Sequence, residues 1–290
     1  MRTTKNLLTE GTALLEAAGI SEAGLNCSWL LAHLLNIDRL TMLAEGGAVV
    51  PPAKVKEFNK FLARKAEGEP LAYILGSQPF CGLSLKVDAR VLVPRPETEE
   101  LVGLAIEFIL GSRLGGAPDI LDFGAGSGAI ALALARRFPA ARVSAAEKSK
   151  RALACCMENA RALGFTGRMN FLAVSAVKDS GGPFDLIVSN PPYIPTGVIA
   201  GLDKEVLSEP RLALDGGPDG LAVAKEIIAQ APAALKRGGA LFMELGDTQG
   251  PAAVKLLDKR IWKTRRVIKD LNGKQRFICA VRQRLSYAGF

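Results

Sequence analysis

The sequence predicts an α/β protein, a mostly parallel sheet with helices on both faces, preceded by a small helical bundle. Three observations carry this. From residue 120 onward, short branched apolar runs alternate with longer segments of helical period, the pattern of a parallel sheet covered on both sides. The first run, Ile120-Leu121-Asp122-Phe123, opens into Gly124-Ala125-Gly126-Ser127-Gly128. A later run, Phe184 to Ser189, stops at Asn190-Pro191-Pro192-Tyr193, where two prolines lack the N–H groups a sheet ladder requires.

Taken in order, residues 1–74 read as helices. Leu7, Leu8, Leu14, Leu15 and Ala18 share one face, and Gly19 ends that helix. A second opens at Ser21-Glu22-Ala23-Gly24 and carries Trp29, Leu30, Leu31, Leu34 and Leu35; a third starts at Pro51-Pro52, prolines suited to a first turn. Residues 75–94 read as a linker of two short strands, with the hairpin turn at Asp88-Ala89. The domain that follows spans 95–290. It starts with Pro94-Arg95-Pro96-Glu97-Thr98-Glu99-Glu100, a rigid turn whose acids fall at a helix start. Strands are expected at 120–123, 143–146, 170–174, 185–189 and 240–245, with a final pair around Asn272-Gly273. Helices are expected at 130–137, 150–163, 220–235 and 249–257.

Composition narrows the function. Hydrophobic residues make up 49% of 290, enough for a sizeable core. No apolar run approaches the roughly 20 residues that cross a bilayer, and the opening residues lack the apolar segment of a signal peptide; a soluble cytoplasmic protein is expected. The five cysteines, Cys27, Cys81, Cys155, Cys156 and Cys279, show no metal-ligand spacing, so neither a metal nor a disulfide is expected. His33 is the only histidine and reads as a partly buried helix residue, which weakens any mechanism with a histidine base. The net charge of +8 suits an anionic partner, yet no RNA-binding signature is present.

Two halves of a site can be read from the residues. In the first, glycines at 124, 126 and 128 let a ligand lie against a strand-to-helix turn. Glu147 follows 19 residues beyond Gly128, at the end of the next strand, where a carboxylate can accept both hydroxyls of a ribose. A nicotinamide dinucleotide is compatible with this much. Asp122 directly before the loop, and the incomplete dinucleotide spacing, favour a cationic ligand, S-adenosylmethionine. In the second half, Asn190 offers an amide oxygen and Pro191 a carbonyl. Two adjacent acceptors can hold a planar NH2 group, with Tyr193 stacked beside it.

These motifs resemble the bacterial protein-(glutamine-N5) methyltransferases that modify peptide chain release factors. The resemblance spans nearly the whole chain. It rests on Pro70 to Gly76, Pro94 to Glu99, Asp122 to Gly128, Phe184 to Ile194, Glu209 to Leu214, Gly216 to Leu221, and Glu244 with Gly246 and Gln249. It implies a class I methyltransferase fold, Rossmann-like with a mostly parallel seven-stranded sheet. It also implies S-adenosylmethionine as cofactor, S-adenosylhomocysteine as product, and a release factor as protein substrate. Asn190, Pro191 and Tyr193 would be the catalytic set. Asn190, Pro191, Pro192, Tyr193 and Arg95 would bind the glutamine of a Gly-Gly-Gln motif. The cofactor would lie against Asp122, Phe123, Gly124, Ala125, Gly126, Gly128, Glu147, Lys148, Ala176 and Asn190. Glu147 stands where the family more often has aspartate, and Ala176 where it usually has an acid near the adenine. Glu209 and Arg211 are expected to pair and tie down their loop. Residues 1–74 would dock the substrate; a monomer without membrane or stable nucleic-acid partners is expected. The amine clamp alone also suits a nucleic-acid N6-adenine methyltransferase, which would need a flipped-base pocket. A non-catalytic cofactor-binding adaptor would not need Asn190, Pro191 and Glu147 together.

Overall fold

The computed structural model describes residues 2–112 and 117–284; Met1, 113–116 and 285–290 of the expectations above lie outside them. The chain divides into two compact units. One holds residues through Ser77 together with Leu202–Ser208, and the other holds Gln78–Gly201 with the remainder from Glu209.

The first unit contains α1 (Thr4–Ala17), α2 (Ala23–Leu35), α3 (Arg39–Glu45), α4 (Pro52–Ala66) and α5 (Leu71–Leu75). Thr3 and Asn6 cap α1 reciprocally, which satisfies two backbone donors that a helix start otherwise leaves open. Leu7, Leu15, Leu30, Leu31, Phe58 and Leu62 bury into one core. Helices α3 and α5 are short and were absent from the sequence reading. Asp38 caps α3 and Gly46 ends it in a left-handed conformation. His33 lies on the exposed side of α2, not in a partly buried position. Lys65, with no solvent exposure, reaches Glu205 of the distant segment.

The second unit opens within β1 (Ser77–Phe80), from Gln78 on, which forms a two-stranded sheet with β2 (Leu83–Lys86). Its turn is at Cys81-Gly82, not Asp88-Ala89. Both residues take positive φ, 47° and 71°, as a two-residue hairpin turn requires. Asp88 instead holds Arg90, and 91–93 is not a strand. Phe80, Leu83 and Leu85 bury in this unit's main core, so the segment read as a linker is packed into the sheet domain.

The remaining elements are α6 (Pro96–Gly111), β3 (Asp119–Phe123), α7 (Ala129–Arg137), β4 (Arg142–Ala146), α8 (Lys150–Ala162), β5 (Met169–Leu172), β6 (Phe184–Ser189), α9 (Lys204–Leu207, in the first unit), α10 (Ala222–Ala234), β7 (Leu235–Glu244), α11 (Gly250–Lys255), β8 (Trp262–Lys269) and β9 (Gln275–Arg282). Seven strands form one sheet in the order β5-β4-β3-β6-β7-β9-β8. The first five run parallel, and β9 runs antiparallel to both its neighbours, β7 and β8, so that β8 points the same way as the first five. Alternate residues face opposite sides, as strand geometry requires. Ile120, Leu186, Val188 and Phe242 face the core with α6 and α7. Leu121, Ile187, Leu241 and Met243 face the core with α10. Because β3 pairs with both β4 and β6, the connection order reverses between β3 and β6. A crevice opens there at the carboxyl ends of the strands.

Candidate active site

A cleft of about 230 Å3 occupies this crevice, lined by residues of the sheet unit alone. The glycine loop forms its floor. Gly124 and Gly126 take φ of +80° and +55°, and a Cβ on either would meet no atom within 4 Å. Their hydrogens therefore face open space that a ligand can fill. Gly128 differs, because a Cβ there would lie 2.7 Å from Cys156 Sγ and 3.1 Å from Leu132 Cδ1. It lets α7 and α8 approach and does not line the cleft. Asn159 fastens the loop from behind, donating to the Ser127 carbonyl at 2.9 Å and to that of Lys86 at 3.0 Å.

Two carboxylates flank the loop. Glu147 accepts from the Gly126 N–H at 3.0 Å and the Ser149 N–H at 2.8 Å. These bonds fix its orientation, and each oxygen keeps a second lone pair for a ligand hydroxyl. Asp122 is fully buried beneath the loop. One oxygen accepts from the Ala131 N–H at 3.0 Å, and the other has no partner among the described residues. Burial pushes its pKa up to about 7; the Ala131 bond opposes this and the Glu147 charge adds to it.

On the opposite wall stands the proline corner. Ser189, the last residue of β6, donates to the Phe123 carbonyl at 2.6 Å and ties this corner to the glycine loop. Gln249 donates to the Tyr193 carbonyl at 2.8 Å, an approach that Gly220 permits, since a Cβ there would lie 2.3 Å from Gln249 Nε2. Asn190 lines the cleft, and its Nδ2 donates to Thr98 Oγ1 at 3.0 Å. Thr98 Oγ1 donates in turn to Glu244 Oε2 at 2.8 Å, and the Tyr193 hydroxyl to Glu244 Oε1 at 3.4 Å. Burial raises Glu244 to about 7, although Thr98 and Arg276 favour its charged form. Burial and the Glu244 charge push the Tyr193 hydroxyl above its usual range, so it stays protonated.

Of the residues expected from sequence, Phe123, Gly124, Ala125, Gly126, Glu147, Lys148, Asn190 and Pro192 line one cleft. Asp122, Gly128, Ala176, Pro191, Tyr193 and Arg95 lie outside its lining. Val174 and Ser175 line the wall beyond Glu147, in the place expected of Ala176. Arg95 pairs with the buried Glu209, which also accepts from the Val93 N–H at 3.0 Å. Arg211, expected to pair with Glu209, pairs with Asp215. A short 3-10 turn at Arg211–Ala213 turns Arg211 toward Asp215, 3.2 Å away. Thr98 and Glu244 had no assigned role in the sequence, and no local motif joins residues so far apart.

The strand order, with a ligand-sized cleft where it reverses, defines a class I, Rossmann-like methyltransferase fold. Residues 109–273 match the methyltransferase small domain and residues 6–76 the PrmC N-terminal domain. Among solved structures, a methyltransferase from Pyrococcus furiosus covers 78% of this chain and 99% of its own at 18% identity, with a TM-score of 0.51. The hMettl16 catalytic domain covers 84% and 87% at 12% identity, with a TM-score of 0.56. Such identities show the fold alone. Sequence relatives go further. The release factor glutamine methyltransferase of Deinococcus radiodurans is 40% identical over 279 residues, covering 96% of this chain and 98% of its own. That of Moorella thermoacetica is 39% identical over 286 residues, covering 97% and 99%. The chain belongs to the release factor glutamine methyltransferase family.

Proposed function

We propose that this protein is an S-adenosylmethionine-dependent enzyme that methylates the side-chain amide nitrogen of the glutamine in the Gly-Gly-Gln motif of class 1 peptide chain release factors. The observation that carries the reading is the Asn190 amide, held at one wall of a cleft whose floor is the open glycine loop. The names of the full-length relatives support the substrate.

Three features fit the cofactor. Gly124 and Gly126 leave room against the backbone, Glu147 presents oriented oxygens for a ribose, and Asp122 keeps an unpartnered oxygen below the loop. The cofactor when bound would supply a sulfonium methyl: a C–N bond would form as the C–S bond breaks, and the displaced amide proton would pass to water. The protein's part is positioning. Asn190 Oδ1 and the carbonyl of Pro191, the next residue in the chain though outside the cleft lining, are read as accepting the two amide hydrogens and fixing the plane of the NH2 group. Accepting both hydrogens concentrates charge on nitrogen, and a fixed approach removes much of the entropic barrier. Tyr193 packs beside the amide as a neutral phenol. No histidine base is called for.

The helical unit is read as the part that docks the release factor, and its exposed Trp29, Leu40 and Val49 suit such a contact. Among the described residues no helix is long and apolar enough to cross a membrane. The reading assigns the protein to the cytoplasm, acting as a monomer without a stable nucleic-acid partner. The test is methyl transfer from labelled S-adenosylmethionine to an intact release factor, to the same factor with the target glutamine replaced, and to adenine-bearing DNA. Label on the intact factor alone is expected. Label on DNA, or on the factor lacking that glutamine, would overturn the assignment.

A further inference from the structure

The amide of asparagine has two ends of similar shape and opposite polarity. A clamp that must accept hydrogens works only with the oxygen toward the substrate. What sets that orientation is a pair of residues, of which Thr98 itself stands on the cleft wall. Thr98 is the third residue of α6 and is buried; Glu244 is the last residue of β7 and is also buried. A threonine hydroxyl carries one proton. Here it is directed to Glu244 Oε2 at 2.8 Å, and an ionised carboxylate can only accept. The hydroxyl therefore faces Asn190 with a lone pair, and the Asn190 NH2 donates to it at 3.0 Å. Rotating the amide would set Oδ1 against that lone pair, with no hydrogen between them. With Nδ2 engaged by Thr98, Oδ1 is the end of the amide left to accept from a group in the cleft that Asn190 lines.

We propose that Thr98 and Glu244 are positioning residues that hold the Asn190 amide in its accepting orientation, a one-way relay running from Asn190 through the Thr98 hydroxyl to the Glu244 carboxylate. This rests on the glutamine-methylation reading and deepens it. The relay needs Glu244 ionised. The groups facing it are Thr98 and Glu97 from α6, Tyr193 from the corner after β6, and Arg276 from β9. Once protonated, Glu244 can donate to Thr98, which frees the threonine proton to bond Asn190 Oδ1 instead. The NH2 end of Asn190 then faces the cleft, where it meets another NH2 group.

The test compares Thr98→Val, which keeps the shape and removes the hydroxyl, with Thr98→Ser, which keeps the hydroxyl. Transfer to intact release factor is followed between about pH 6 and pH 8.5, and cofactor affinity is measured by calorimetry. Loss of one orienting hydrogen bond should lower kcat about tenfold in Thr98→Val, with cofactor affinity unchanged. Thr98→Ser should recover most of that loss. Wild-type kcat should fall as pH drops through about 7, whereas the lower rate of Thr98→Val should not follow Glu244. Unaltered kcat in Thr98→Val, or a Thr98→Ser enzyme as slow as Thr98→Val, would overturn the relay. A Thr98→Val protein that cannot fold leaves the serine variant and the wild-type pH profile to decide. A wild type inert toward the factor fails the substrate reading instead, a different result.

Discussion

Asp122 gives the site a stability cost that depends on pH, and replacing it by asparagine should expose that cost. Its carboxyl is fully buried, with one oxygen on the Ala131 N–H and the other unpartnered, and burial raises its pKa from 3.8 to about 7. An acid with a raised folded-state pKa holds a proton in the folded state that the unfolded chain has already released. Folding is then favoured less and less as pH rises from about 4 to about 7, and the loss levels off above that. For these two pKa values the loss is about 2 kcal/mol at about pH 5.5 and about 4 kcal/mol at about pH 8.5. Asparagine keeps an acceptor for Ala131 and does not titrate. The stability difference between Asp122→Asn and wild type should therefore move in favour of the variant by about 2 kcal/mol between those two pH values. Urea unfolding without cofactor measures it, because any fixed packing penalty cancels between pH values. A difference that stays constant with pH would refute the assignment of a buried, partly protonated carboxyl under the loop.

The glycines of the loop should separate into two kinds. Gly126→Leu should abolish detectable S-adenosylmethionine binding by calorimetry while the protein still folds, since the side chain enters open cleft. Gly128→Ala should lower stability by about 2 kcal/mol, because the new Cβ meets Cys156 and the backbone stays left-handed; thermal unfolding reads this. In the helical unit, Glu205→Ala strips the buried Lys65 of its carboxylate. Glu205 is about a third exposed, so the expected loss is about 2 kcal/mol, below the range for fully buried pairs. The double variant Lys65→Met, Glu205→Ala should recover part of it in denaturant unfolding.

The parallel strands and both halves of the cleft were legible because each is announced locally. Branched runs end in glycine at 124 and in proline at 191, and such residues report the backbone directly. Elements fixed by distant partners were not. The hairpin turn uses Cys81, a residue type rarely left-handed, so the eye falls on Asp88, whose task is to hold Arg90. Helix α3 has only seven residues, too few for a period to show. Glu209 has an arginine two positions away and bonds Arg95 instead, 114 residues distant. Thr98 and Glu244 stand 146 residues apart and meet only because α6 starts beside the end of β7. The turn around Arg95 was legible as charged and rigid, yet the residue that contacts Asn190 there is the uncharged Thr98.

Single-turnover methyl transfer by Asn190→Ala, with wild-type and variant both saturated with cofactor, tests the amide clamp most directly. Losing an acceptor that acts on the reacting nitrogen should slow the step by about 100-fold or more, while S-adenosylmethionine affinity stays within about twofold of wild type. An Asn190→Ala enzyme that transfers methyl at the wild-type rate would contradict the account.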